Sequence, residues 1–468
     1  MKQYVLLVIW VFFGYLTIVK GYKNYGVEDM YYWKDVYYEN LPYEDDTLIG
    51  KYPYHIPANN DVVGIGYHAK SGLMLATVGR IRAGVPSTLN AFCVADYDKE
   101  SSPKLWGFPN YRRNTLKSYF YEGFDKYPRQ LNSDYTTYSA GYYNHFFGSD
   151  KINSIGQYSI ISVYHPNIDD QCNRLYVVDT GVLSYGVSEV YNVQNPAIIV
   201  FDLPSNGCQR RQFPVIRRKE IPSNFWKNPV GFVYIAIDHQ AKKSCDDVFL
   251  YITNTFDSSL TVYDYKKGNF WAFNDPSMRP IISDAKNVFN NYFNYEIRLG
   301  IMNVALGWVD NSGNRNAYFA PGSSTLEYIV STKLLKNSRK TPFKYNPLEF
   351  FLIGHRGCNS QAFKQVFDSA TGIMFFAELQ SKKIRCWNTQ LPLNTDTIAT
   401  VFESEALQFV SEINVDEDGY LWFHSSHLPF TYLSDIPLNM TNFTPTTFRV
   451  RIFKAIRGTA CEYPYFYI

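Results

Sequence analysis

The 468-residue chain has little charge for its size: Asp, Glu, Lys and Arg together make 19%, and the formal net charge is +2. So small a balance excludes the broad basic face that a nucleic-acid backbone requires. A hydrophobic content of 46% excludes a disordered chain. After the first 21 residues no stretch is long and apolar enough to read as a spanning helix, so no membrane association is expected. GxSxG, HExxH and a phosphate-cradling glycine loop are all missing, which removes the usual support for serine hydrolase, zinc protease and nucleotide chemistry. None of the seven cysteines stands in a CxxC spacing, and His55, His68, His145, His165 and His355 are scattered without metal-ligand spacing. Neither a metal nor a cofactor is therefore expected. Helical periodicity is weak throughout, and no linker is sharp enough to define a second domain.

What the chain does have is a recurring pair of strand-like runs. Leu175 to Val178 ends at Asp179-Thr180-Gly181, and Ile198 to Phe201 ends at Asp202. The pattern returns as Val248 to Thr253 ending at Asn254, with Leu260 to Tyr263 ending at Asp264. It returns again as Ala317 to Ala320 with Leu326 to Val330, then as Ile373 to Ala377 ending at Glu378, with Ile384 to Trp387 ending at Asn388. Val62 to Tyr67 with Leu73 to Val78 opens the series, and Ile413 to Val415 with Tyr420 to Phe423 closes it. Six units of short strands predict an all-β, six-bladed β-propeller in a single domain. At roughly 70 residues per unit, against about 40 to 50 for familiar four-stranded blades, long loops must leave the faces.

Residues 1–21 pair one early Lys2 with an uncharged run from Tyr4 to Val19 and small residues at the end, the pattern of a secretory signal peptide. The reading then assigns residues 22–55 to an N-terminal extension, 56–455 to the propeller and 456–468 to a C-terminal tail. A secreted chain with seven cysteines is expected to form two or three disulfides with one thiol left over. Cys358 and Cys386 flank one repeat and are the first pair expected, with Cys172 and Cys208 as further candidates. Asn439-Met440-Thr441 and Asn442-Phe443-Thr444 are N-glycosylation sequons in a polar stretch. Asp98 to Ser149 reads as a long loop region. The cluster Arg210-Arg211 with Arg217-Arg218-Lys219 reads as a solvated loop face.

Six blocks in this order resemble the insect yellow and major royal jelly protein family: RLYVVDTG (174–181), PAIIVFDL (196–203), NPVGFVYIA (228–236), SSLTVYD (258–264), YFAPGSSTLEYIVST (318–332) and GIMFFAELQSKKIRCWN (372–388). The similarity runs from about Val62 to Ile452. It implies a secreted six-bladed propeller. It also implies a range of roles: cuticle pigmentation, eggshell hardening, dopachrome conversion, biogenic-amine binding in insect saliva, and food or storage. The chain departs from the family pattern at Asn254, where an Asp is usual, and at His424-Ser425-Ser426-His427, where Ser-Asn-Arg is common.

Strand ends of equivalent repeats converge on one face of a propeller, so Asp179, Glu378 and His424 are the candidate polar groups. The same residue types also cap turns at strand ends. An aromatic amine needs a carboxylate or carbonyls, aromatic faces and a dry concave site. Asp179, Glu378, Asn388, Phe376 and Trp387 are expected to supply these at the channel mouth, with Tyr318 and Phe319 behind and Asn388 the first candidate. The functional expectation is a secreted propeller that binds small aromatic or biogenic-amine ligands. Two alternatives stand beside it: a dopachrome isomerase of the melanin pathway, and a cross-linkable component of cuticle or eggshell matrix, for which the 40 Tyr supply material.

Overall fold

In the computed structural model the described residues are 26–49, 52–114, 116, 158–184, 189–209, 213–240, 244–289, 291, 293–340 and 347–462. The leader at 1–21, His145 and most of the 98–149 region lie outside them. Six four-stranded antiparallel sheets form a six-bladed β-propeller. Blade 1 is built from Val62–His68, Leu73–Val78, Leu89–Cys93 and Trp106–Gly107, running from the axis outward. Blade 2 follows with Asn167–Asp169, Arg174–Asp179, Ala197–Asp202 and Val215–Glu220. Blade 3 uses Phe232–His239, Val248–Asn254, Ser259–Asp264 and Asn269–Phe273, and blade 4 uses Ile301–Val309, Arg315–Pro321, Leu326–Ser331 and Phe350–His355. Blade 5 comprises Ala362–Asp368, Ile373–Glu378, Lys383–Asn388 and Ile398–Glu403. Blade 6 takes Val410–Val415, Tyr420–Ser425 and Thr446–Arg451 from the end of the chain. Its outermost strand, Glu28–Tyr32, comes from the start of the chain, so the expected N-terminal extension supplies part of the ring.

Why the second and third strands of each blade read as unbroken apolar runs follows from the stacking. Alternate side chains of a strand point to opposite faces, and in a propeller both faces meet a neighbouring blade. Leu175 and Val177 pack against blade 1, in a cluster with Leu73, Leu75 and Leu89. Tyr176 and Val178, one residue along, pack against Ile235, Leu250 and Ile252 of blade 3. The other seams repeat the arrangement: blades 3 and 4 around Val262 and Phe319, 4 and 5 around Tyr318 and Phe376, 5 and 6 around Phe375 and Phe423, and 6 and 1 around Trp422, Met30 and Met74.

Three disulfides form. Cys93–Cys208 joins blades 1 and 2, Cys172–Cys245 joins blades 2 and 3, and Cys386–Cys461 ties blade 5 to the segment after the last strand of blade 6. Cys358 is exposed and free, which corrects the expected Cys358–Cys386 pair. Cys386 is fully buried and its side chain points into the seam between blades 5 and 6, away from the exposed turn that carries Cys358. The bonds therefore run between neighbouring blades, whereas the expectation looked within one repeat. Of the basic cluster, Arg210 and Arg211 lie outside the described residues, and Arg217, Arg218 and Lys219 correct the expectation: they lie on the outer strand of blade 2 and not on a loop. The Arg217 guanidinium sits 3.5 Å from the Tyr265 ring centroid and donates to the Tyr263 hydroxyl at 3.2 Å.

Candidate functional site

The innermost strands carry a repeated irregularity. In blades 1, 3, 4, 5 and 6 the pairing with the second strand slips within the first few residues: between Val62 and Gly64, Phe232 and Tyr234, Ile301 and Val304, Ala362 and Lys364, and Val410 and Glu412. A bulge leaves one residue out of the ladder and re-aims its side chain. Val233, Met302 and Phe363 are such residues, and all three line a pocket at this end of the channel. The pocket takes in about 540 Å³ of space outside the atoms, open solvent at its mouth included. Tyr164, Phe256, Phe409 and Tyr432 contribute further rings to its wall. Phe363 meets Phe409 edge to face at 4.7 Å, and Phe256 stacks on Tyr432 at 6.3 Å.

One wall comes from the short helix Leu428–Leu433 of blade 6, which contributes Leu428, Pro429 and Tyr432. So short a helix cannot hold itself; blade 1 holds both of its ends. Asp61 accepts from the His427 amide at 3.1 Å and from the Thr431 hydroxyl at 3.0 Å. The buried Arg82 guanidinium donates to the carbonyls of Phe430, Thr431 and Ile436, at 3.0, 3.1 and 2.7 Å, and to that of Ser434. These bonds take up the carbonyls that a helix end leaves without partners.

Beneath the apolar mouth lies a layer of opposite character. Glu412, the residue after the bulge in blade 6, is fully buried and accepts three donors. Its Oε1 takes the Lys364 ammonium of blade 5 and the Ile413 amide, and its Oε2 takes His165 Nδ1 at 2.8 Å. The Lys364 ammonium also sits 4.5 Å from the ring centroid of Tyr234 in blade 3. Burial alone pushes the Glu412 carboxyl up, but Lys364 and His165 more than offset it and hold the group below the ordinary carboxylate range. Burial holds His165 and Lys364 below their ordinary values, partly offset by Glu412. His165 therefore stays neutral, donates from Nδ1 to Glu412 and turns its ring to the pocket. Among the described residues nothing hydrogen-bonds its Nε2.

None of the six candidate ligand residues, Asp179, Glu378, Asn388, Phe376, Trp387 and His424, lines this pocket. Asp179 is fully buried at the end of the second strand of blade 2. It accepts from the amides of Ile161, Ser162 and Gly181 at 2.9, 2.9 and 3.0 Å, and from Gln194 Nε2 at 2.7 Å. Its role is to gather a turn, and Gly181 completes that turn: at φ 70° a Cβ there would lie 2.0 Å from the Gln194 carbonyl oxygen. Glu378, at the same end of blade 5, accepts from the Ser381 hydroxyl and lies 3.6 Å from Arg385. Asn388 pairs with Ile373 at the other end of the blade, where it caps a turn through the Gln390 amide at 3.0 Å, so Asn388 and Glu378 do not converge. Phe376 and Trp387 pack into the seam between blades 4 and 5. His424 lies on the second strand of blade 6, fully buried, where it bonds the Thr447 hydroxyl and the Val62 carbonyl at 2.9 and 2.8 Å. Asn439 and Asn442 are both exposed.

On the opposite face, among the described residues, Asp169, Cys172 and His239 stand close enough together to hold an ion. The Cys172 sulfur is committed to Cys245, which leaves an Asp169–His239 pair at 2.9 Å. Sequence reasoning passed over His165, Lys364 and Glu412. The signal for Lys364 and Glu412 is a charge at the third position of an innermost strand, in AFKQVFD and VSEINV; His165 stands two residues before the strand Asn167–Asp169.

The family model described as "Major royal jelly protein" matches residues 161–461. Yellow-related salivary protein SP03 of Phlebotomus perniciosus is 32% identical over 446 residues, covering 95% of this chain and 96% of that protein. Yellow-related salivary protein ASP4 of Phlebotomus orientalis is also 32% identical, covering 95% of each. Yellow-related salivary protein LJM111 of Lutzomyia longipalpis is 33% identical over 329 residues, covering 68% of this chain and 79% of that protein.

Proposed function

The chain belongs to the major royal jelly protein family, and from that premise we propose that it is a secreted propeller binding a small aromatic molecule in the pocket at its channel mouth. The observation that carries the reading is the pocket itself: open at its mouth, lined by residues of five blades and rich in aromatic rings. Concave, mostly apolar sites with few polar groups suit small organic ligands. Phenolic and indolic rings match the apolar, aromatic character of the walls. Secretion is part of the proposal. It draws on the leader pattern of residues 1–21, the three disulfides and the salivary names of the relatives. No helix among the described residues is long and apolar enough to cross a membrane.

The test is calorimetric titration of the purified protein with a panel of phenols, indoles and their amines, beside a Val233→Trp variant. Val233 is only partly buried, so a larger side chain there should fill the mouth without disturbing a seam. Saturable binding by the native protein and its loss in the variant are expected; no heat with any compound would end the proposal. The isomerase alternative draws on His165, which lines the pocket and keeps Nε2 without a hydrogen-bond partner among the described residues. A dopachrome decay assay on the same sample addresses it. Acceleration that disappears in His165→Gln would favour catalysis over capture.

A further inference from the structure

We infer that the pocket selects uncharged aromatic hydrogen-bond donors, phenols and indoles, over their protonated-amine counterparts, with His165 as the residue that reads the donor. The inference rests on the pocket being a ligand site, as proposed above. It begins from charge. Burying an ammonium demands a countercharge or a full set of acceptors, and no lining residue carries a carboxylate. The Thr255 hydroxyl, which also lines the pocket, donates towards the Gly300 carbonyl at 3.3 Å and Met302 Sδ at 3.1 Å, and its lone pairs make one neutral acceptor group, short of the full set an ammonium needs.

The carboxylate at hand is Glu412, one layer below, and it is already matched. Lys364 neutralises it, and both of its oxygens hold donors. An amine reaching the pocket floor meets a pair with no net charge and, beyond it, the Lys364 ammonium as a like charge. Aromatic walls attract a cation, but that attraction is small beside the hydration an ammonium gives up when water is excluded.

The floor offers something else. With Nδ1 donating to Glu412 at 2.8 Å, the second nitrogen of a neutral His165 is a lone-pair acceptor. The residue is 4% exposed and lines the pocket. A phenol O–H or an indole N–H satisfies that acceptor without bringing a charge into the apolar wall, and the ring packs against Phe363 and Phe409.

Calorimetry with matched pairs tests this. 4-Ethylphenol against tyramine, and 3-ethylindole against tryptamine, differ only by the ammonium. At pH 7.5 the neutral member of each pair is expected to bind at least tenfold more tightly. 4-Ethylphenol is further expected to bind at least fivefold more tightly than 4-ethylanisole, whose ether cannot donate, and His165→Phe should erase that second gap while retaining both ligands. The phenol–anisole comparison on the native protein stands even if the variant does not fold. Amines that bind as tightly as their neutral partners, or more tightly, overturn the selectivity and leave the pocket reading intact. If no compound binds, both fall.

Discussion

The mouth of the channel and the floor beneath it are built from adjacent residues of the same strands, yet they answer burial in opposite ways. Val233 and Phe363 face an apolar pocket; Tyr234 and Lys364, the next residues along, join a closed ion cluster with Glu412 and His165. On a regular strand neighbours point to opposite faces, and here a bulge at the start of the innermost strand decides which residue goes where. In blades 3 and 5 one slipped residue thus separates an apolar binding surface from a charged support. The chemistry that shapes the pocket is kept out of contact with solvent, and the surface a ligand would touch carries almost none of it.

The largest break in this comparison should come from the floor. Glu412→Leu leaves Lys364 buried without its partner, and losing one member of a buried pair costs about 3 to 5 kcal/mol. Adding Lys364→Met should restore most of that loss, since both charges are then gone. Urea denaturation of the three proteins checks it, and a single variant within about 1 kcal/mol of native would mean that the cluster is not a desolvated pair.

Acid should act next. Burial holds His424 at about 4 and keeps His165 below the ordinary histidine value. The unfolded chain protonates its histidines near pH 6.5, while the folded one refuses the proton until lower pH. Stability is therefore lost as pH falls from about 6.5 towards 4, by about 3 kcal/mol for His424 alone. Glu412 has a depressed folded value, so its contribution is present above the ordinary carboxylate range and is lost on further acidification. Denaturation midpoints from pH 7.5 to 4 should fall steadily, and His424→Gln, which keeps the donor to Val62, should flatten the slope.

The mouth should answer the other way. Val233→Trp is expected to lower affinity for any pocket ligand by more than tenfold, yet to change stability by less than about 1 kcal/mol. Equal losses of binding and stability would dissolve the distinction between mouth and floor. The smallest effect belongs to Cys358→Ser: within about 0.5 kcal/mol by denaturation, as expected for an exposed thiol outside the three disulfides.

How much of this was legible follows from which faces each strand buries. Leu73–Val78, Ala197–Asp202 and Ile373–Glu378 stand out in the sequence because neighbouring blades cover both of their sides. Innermost strands show in blades 1 and 6, as the runs Val62 to Tyr67 and Ile413 to Val415, and hide where residues such as Asn167 and Lys364 interrupt the apolar pattern. Outer strands hide too: Val215–Glu220 reads VIRRKE and passes for a loop. The strand Glu28–Tyr32 could not be placed, because its partner lies at the far end of the chain. For the site, strand-end logic picked Asp179, Glu378 and Asn388, which do what Asp and Asn do at any turn. The pocket escaped notice because bulge positions carry Val, Met and Phe, residue types with no chemical signature, and because His165 was one histidine among several without a pattern.

The composite sixth blade carries one more consequence, in the order of synthesis. Glu28 bonds Arg449 at 2.7 Å, 421 positions later. At about 5 to 20 residues per second, the first strand made waits roughly 20 to 80 s before its partner exists. Throughout that interval its edge towards Thr446–Arg451 stays open, and only blade 1, through Met74 and Phe92, is there to cover Met30 and Tyr31. Ring closure is thus the last act of the nascent chain, and whatever shields that strand in the meantime governs the yield of folded protein.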